Sequence, residues 1–138
     1  MEKIGISACL LGVHCKYNGK HNLNLKILSQ IKGKELVLIC PETMGGLNTP
    51  RIPCEIQLDG RVLNQQGDDV TENFVLGSLL SLEKLEKNHC SQVILKDGSP
   101  SCGYKTIYDG SFSKRKISGQ GFTTKHLSNH QIQIIDIQ

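Results

Sequence analysis

Tryptophan is absent from this chain of 138 residues, and aromatic residues make up only 4% of it. Stacking platforms of the kind that track a nucleic-acid strand are therefore scarce. Charge of one sign is also lacking. Sixteen basic residues against 13 acidic ones leave a formal +3, and the one short cationic cluster is Lys114-Arg115-Lys116. That balance is too weak to argue for nucleic acid. No run approaches the roughly 20 apolar residues of a membrane span. The apolar stretch before Cys9 falls short of the ~7–15 residues of a secretory h-region, so a cytoplasmic location and no membrane partner are expected. A phosphate-binding G-x-x-x-x-G-K-[ST] loop is missing, and so are the close C-x₂-C pairs of zinc ribbons. There is no repeat, low-complexity tract or obvious linker. The length suits one domain with a real core and is too short for two ordinary ones, so residues 1–138 are read as a single domain.

What the chain does have is cysteine, six in all. Without an export signal these thiols are expected to stay reduced, which favours metal or catalytic roles over disulfides. Their setting follows from the periodicity. Residues 3–8 read as a first strand, and 35–39 as a continuous apolar strand buried on both faces. Residues 92–96 read as the next central strand and 131–137 as the last. Helices are expected over 24–32, with Leu25, Leu28 and Ile31 inward, over 71–87, with Phe74, Leu79, Leu82 and Leu85 inward, and over 122–129. Asp59-Gly60 predicts a two-residue hairpin between 55–58 and 61–64. Asp109-Gly110 is the turn of a loop or hairpin over 104–117, and 41–53 reads as a Pro- and Gly-rich loop. The order implies an α/β fold, a mainly parallel sheet with helices on both faces in a Rossmann-like three-layer arrangement.

In such a sheet the strand C-termini open on one edge, where ligands bind. Cys9, Cys40 and Cys102 each sit where an apolar run gives way to a turn, so three thiolates from distant parts of the chain would converge. Soft thiolates select zinc, Cu(I) or an iron–sulfur cluster, and three ligands on a four-iron cluster would leave one iron open. Cys15 shares the loop of Cys9 and can be a further ligand, a sulfur carrier or a loop thiol. Cys54, before a strand, and Cys90, at a helix end, read as structural. Glu42 follows Cys40 across Pro41, within reach of whatever a metal there binds, and a carboxylate in a partly dry pocket can exchange protons near neutral pH. Ser99 and Ser101 flank Pro100 just before Cys102. Their hydroxyls can bond cluster sulfide or substrate, or serve only the turn. Among the histidines, His126 and His130 are four apart but lack the Glu of a zinc-protease helix, and they read as surface residues.

Ser7-Ala8-Cys9-Leu10-Leu11-Gly12, Cys15-Lys16-Tyr17-Asn18-Gly19, Cys40-Pro41-Glu42 with Gly45-Gly46-Leu47 and Pro50-Arg51, Ser99-Pro100-Ser101-Cys102-Gly103 and Ile107-Tyr108-Asp109-Gly110-Ser111-Phe112 together resemble the thiouracil desulfidase family, nearly end to end. The resemblance implies a [4Fe-4S] cluster held by three cysteines, here Cys9, Cys40 and Cys102, and removal of sulfur from 2-thiouracil without net redox. A thiolated pyrimidine is then the substrate. The open iron acts as Lewis acid, Glu42 as the base that activates water, and Ser101 or Ser99 assists proton transfer. The competing readings are a sulfur-inserting thiolase and a non-catalytic zinc-binding or redox-sensing module.

Overall fold

Apolar, β-branched runs form the centre of the structure. A computed structural model describes residues 2–137. Along the chain come β1 (Lys3–Ser7), β2 (Glu35–Ile39), the hairpin of β3 (Cys54–Ile56) and β4 (Val62–Asn64), β5 (Gln92–Ile94), the hairpin of β6 (Thr106–Tyr108) and β7 (Lys116–Ser118), and β8 (Gln133–Ile135). The helices are α1 (Leu28–Ile31), α2 (Pro41–Met44), α3 (Thr71–Lys87) and α4 (Phe122–Asn129). The strands β2-β1-β5-β8, in that spatial order, form one parallel sheet. Val37, Ile39, Val93 and Leu95 pack on Leu82 and Leu85 of α3 and Leu127 of α4. On the other face Ile4, Ile6 and Ile94 meet Leu10 and Ile27, with Ile31 of α1 alongside. The result is the expected three-layer α/β arrangement. Among the described residues no helix is long and apolar enough to cross a membrane.

Four local expectations are corrected. Residues 24–32 do not form one amphipathic helix. The Asn24 side chain accepts the Lys26 N–H and starts a 3₁₀ turn over Leu25–Ile27. Three residues per turn rotate the apolar face, so Ile27 is fully buried while Leu25 and Leu28 are 67% and 55% exposed. Second, the loop 41–53 opens with α2, a single turn with Pro41 in its first position, where proline's missing N–H does no harm. Third, the Asp59-Gly60 turn is longer than two residues. The ladder ends at Ile56↔Val62, Gln57 N–H bonds the Arg61 carbonyl, and Gly60 takes the left-handed conformation at φ 89°, as three-residue hairpins require.

The fourth correction concerns α3. Its limits are as expected, and Asp69 accepts both the N–H and the hydroxyl of Thr71 at its start. Leu79, however, is 48% exposed, and Gly77, Ser78 and Ser81 are inward instead. These small residues let α2 lie against α3. A Cβ added at Gly77 would strike the Pro41 carbonyl, and one at Gly45 the Asn73 carbonyl. Gly77→Ala should therefore destabilise by roughly 1–3 kcal/mol through overpacking, whereas Leu79→Ala should stay within about 0.5 kcal/mol if exposure governs it. Thermal unfolding of the two variants checks the contrast, and equal effects would contradict this packing.

Candidate active site

The spatial order β2-β1-β5-β8 means that the chain leaves β2 on one side of β1 and returns on the other, placing a topological switch between β1 and β5. Ligands of open α/β sheets bind at the carboxyl ends beside such a switch. Ser7 pairs with Ile39 and Ile6 with Ile94, so the three strands end level. Cys9 lies in the 3₁₀ turn after β1. Cys40 precedes α2. Cys102 sits in the turn that follows the extension of β5.

Each thiol is fixed by neighbours. The Asn22 side-chain amide donates to the Cys9 sulfur at 3.3 Å, and the Asn22 N–H to the Cys9 carbonyl at 2.8 Å. The Thr43 hydroxyl lies 3.1 Å from the Cys40 sulfur. The Ser7 hydroxyl donates to the Cys102 sulfur at 3.6 Å and accepts the Lys96 N–H at 3.0 Å. Cys102 N–H in turn bonds Ser99 Oγ at 2.7 Å. Helix α4 secures this turn from beneath. The Phe122 N–H bonds the Pro100 carbonyl at 2.8 Å, and Thr123 and Thr124 N–H bond the Ser101 carbonyl at 3.0 and 3.2 Å. The otherwise unpaired N–H groups of a helix start are thus spent on holding Ser101 and Cys102 in place. Asp97 closes the far side, its Oδ1 accepting from the N–H groups of Tyr104, Lys105 and Thr106.

The electrostatics separate the thiols. Cys15 sits beside Cys40, its carbonyl 3.9 Å from the Cys40 sulfur. Interaction with the Cys15 thiol is the leading reason why Cys9 falls to about 7 and Cys40 to about 6; Asn22 helps the first and Thr43 the second. The Cys15 thiol itself is driven upward, chiefly through the same interactions with Cys40 and Cys9. Burial pushes Cys102 up to about 12, and burial with the nearby Glu42 carboxylate pushes Cys54 up to about 11. The Lys96 ammonium is lowered, first by burial and then by the Lys116 charge.

Glu42 is clamped from both sides. Its Oε2 accepts from the Ser101 hydroxyl at 2.7 Å and its Oε1 from Arg51 Nε at 3.1 Å. Ser99 Oγ lies 3.1 Å from Ser101 Oγ. With Cys102 N–H donating to Ser99, the donors can align in one direction: Cys102, Ser99, Ser101, Glu42. Arg51 also donates to the carbonyls of Cys15 (3.0 Å) and Asn48 (3.3 Å) and to Thr49 Oγ1 (3.0 Å). One guanidinium thereby ties the Cys15 loop to the carboxylate.

A cleft of about 410 Å³ unites these groups, lined by Cys9, Cys15, Cys40, Cys102, Glu42, Ser99 and Ser101, a size typical of small-molecule sites. All seven candidate positions are therefore brought together. Cys54 lines the same cleft, its thiol directed at the Ile52 carbonyl at 3.4 Å, while Cys90 is buried in the core. Ser7, Arg51 and Lys96 were not singled out by sequence reasoning; the Pro50-Arg51 pair in a loop was the available signal for one of them. Three soft thiolate donors lining one cleft suit an iron–sulfur cluster, whose irons each take one cysteine.

Comparison with known proteins agrees. A model of the 2-thiouracil desulfurase family matches residues 4–138. YbbK, an uncharacterized protein of Bacillus subtilis, is 40% identical over 139 residues, covering 94% of this chain and 92% of its own. Among solved structures the [4Fe-4S]-dependent thiouracil desulfidase TudS is similar at a TM-score of 0.88 and 39% identity, covering 98% of this chain and 90% of that one.

Proposed function

The chain belongs to the 2-thiouracil desulfurase family, and on that premise we propose that it is an iron–sulfur enzyme that hydrolyses a C–S bond of a thiolated pyrimidine, converting 2-thiouracil to uracil and hydrogen sulfide. The observation that carries this reading is the meeting, on one sheet edge, of three strand-end cysteines with the Ser99–Ser101–Glu42 hydrogen-bond chain. Cys9, Cys40 and Cys102 are the proposed ligands of a [4Fe-4S] cluster. Those three thiolates would hold the cluster with one iron free of protein, which would supply a Lewis acid for the thiocarbonyl sulfur.

The remaining work falls to the chain. Glu42 takes a proton from a water molecule whose oxygen bonds to the thiocarbonyl carbon. Ser101, donating to Glu42 and receiving from Ser99, assists the transfer, and Glu42 hands that proton, followed by the one left on the new hydroxyl, to the departing sulfur. The C–S bond breaks, sulfur leaves as hydrogen sulfide, and no electrons are gained or lost. Arg51 fixes the carboxylate's direction. Anaerobic reconstitution with iron and sulfide, followed by assay with 2-thiouracil, tests the reading. Uracil and sulfide should appear in equal amounts. A colourless, zinc-loaded protein without turnover would favour a non-catalytic module.

Cys15 is proposed as a hydrogen-bond donor to ligand sulfurs, since it lines the cleft with Cys9 and Cys40, its carbonyl lies 3.9 Å from the Cys40 sulfur, and its own thiol is driven toward the protonated form. Cys15→Ser retains an O–H donor and should retain iron. Cys15→Ala should bind iron but lose it faster in air, with activity lowered roughly 10–100-fold, the usual worth of a group that supports a metal ligand. Iron content and air half-life of the two variants decide this, and iron-free Cys15→Ser would make Cys15 a ligand.

A further inference from the structure

We propose that Phe112 is the stacking wall for the substrate's pyrimidine ring and that Glu55 is the positioning residue that holds it over the cleft; this deepens the desulfidase reading and rests on it. The chain has three Phe and three Tyr, yet Tyr17, Tyr108 and Phe112 all line the one cleft. A small protein short of aromatic rings would ordinarily bury them in its core, as it does with Phe74, on which the Phe122 ring packs edge-on. The three cleft rings differ in availability. Tyr17 is 42% exposed with the Lys16 ammonium 5.9 Å from its ring. Tyr108 has the Lys116 ammonium 5.6 Å from its own. Phe112 is half-buried and, among the described residues, has no ring or cation against it.

The backbone at Phe112 is held in an unfavourable conformation. Its φ is 56°, and that of Lys114 is 62°. A bulky L-residue rarely adopts this left-handed region, and such strain persists only where surroundings enforce it. The enforcing group is Glu55 of β3, only 7% exposed. Its Oε1 accepts the Gly110 N–H at 3.0 Å and the Phe112 N–H at 3.1 Å. Gln57 adds a bond from its side-chain amide to the Gly110 carbonyl at 3.1 Å. A buried carboxylate needs such partners, and here both hydrogen bonds go to the tip of another hairpin. Latch and strain together aim one unpartnered aromatic ring into the cavity that holds Cys9, Cys40, Cys102 and Glu42. A flat π-ring is what that ring face would recognise.

The test pairs 2-thiouracil with 5,6-dihydro-2-thiouracil, which has the same thioamide edge but a puckered, saturated ring. The ratio of the two kcat/KM values cancels defects common to both substrates. Phe112→Leu and Phe112→Met should lower that ratio roughly 5- to 100-fold, the usual worth of one base–aromatic stack, mainly through KM for 2-thiouracil. Phe112→Tyr should preserve it. Glu55→Ala should shift it in the same direction, and Glu55→Gln, which keeps an acceptor oxygen, should restore most of it. Calorimetric binding of uracil against 5,6-dihydrouracil to the same iron-verified proteins should move in parallel. An iron-loaded Leu or Met variant with an unchanged ratio, or with equal losses on both substrates, overturns the proposal. Wild-type protein that loads iron but leaves 2-thiouracil intact overturns the desulfidase reading instead, and the uracil-against-dihydrouracil preference then still decides Phe112.

Discussion

Cys40→Ala should give a folded protein with little iron and no measurable turnover. The fold should survive because Cys40 is half-buried at the entrance of a four-residue helix and makes no side-chain capping bond there. Neither hydrophobic cluster includes it. Its chemistry is another matter. The Cys15 thiol first, then Thr43 and Arg51, draw its pKa down to about 6, so near neutral pH it stands ready as a thiolate, the form that binds metal. Its removal takes away one of three attachment points. The loss should exceed the roughly 10–100-fold that follows loss of a supporting group around a metal site. Iron and acid-labile sulfide per chain, measured beside the melting temperature, separate ligand loss from unfolding. Cys9→Ala and Cys102→Ala should behave alike, while Cys54→Ala and Cys90→Ala should keep both iron and activity. Full iron and activity in Cys40→Ala would sink the proposed site. Cys102 adds a pH signature. Burial holds its pKa near about 12, so binding must displace a proton, and cluster loading should strengthen as pH rises.

The strand-end cysteines were legible because the signals around them are local. β-branched runs end in Gly- and Pro-rich turns, and parallel topology does the rest by bringing strand ends to one edge. Helix α3 was legible for a similar reason, since Asp69 and Thr71 announce its start. The face it buries was not. Gly77, Ser78 and Ser81 face inward because α2 needs close approach, a demand made by a segment more than 30 residues away that is itself too short for periodicity to reveal. The same holds for the pairings that give the site its geometry. Ser7 meets Cys102 across 95 residues and Arg51 meets the Cys15 carbonyl across 36. Local propensity carries no record of where such a side chain points. Glu55 and Phe112 were hidden for a further reason. Asp109-Gly110 announces a turn, but the left-handed φ at Phe112 comes from a carboxylate on another hairpin.

Glu42→Gln should leave the cluster in place and lower turnover by roughly 10²–10⁴-fold, about 2.7–5.4 kcal/mol in the barrier. The variant keeps side-chain length and one carbonyl oxygen, and no proposed ligand changes. The hydrogen-bond pattern shows why it would still fail. In the native chain both carboxylate oxygens accept, one from Arg51 and one from Ser101. A glutamine must give Arg51 its oxygen, because a guanidinium only donates. Its NH₂ group then faces Ser101 and donates. The Ser101 hydroxyl, which can rotate, must point back toward Ser99, and the chain from Cys102 N–H to residue 42 loses its single direction. Nothing at its end can take a proton. Ser101→Ala provides the contrast, since it removes the assisting hydroxyl but leaves the carboxylate and its Arg51 partner, and its loss should be the smaller. Glu42 and Arg51 are both largely buried, so the broken ion pair also lowers stability, and melting temperature must be followed in the same samples. The decisive measurement is turnover of Glu42→Gln with iron verified per chain. A loaded cluster with turnover within a fewfold of wild type would remove Glu42 from the mechanism and pass the base's role to Ser101 or Ser99.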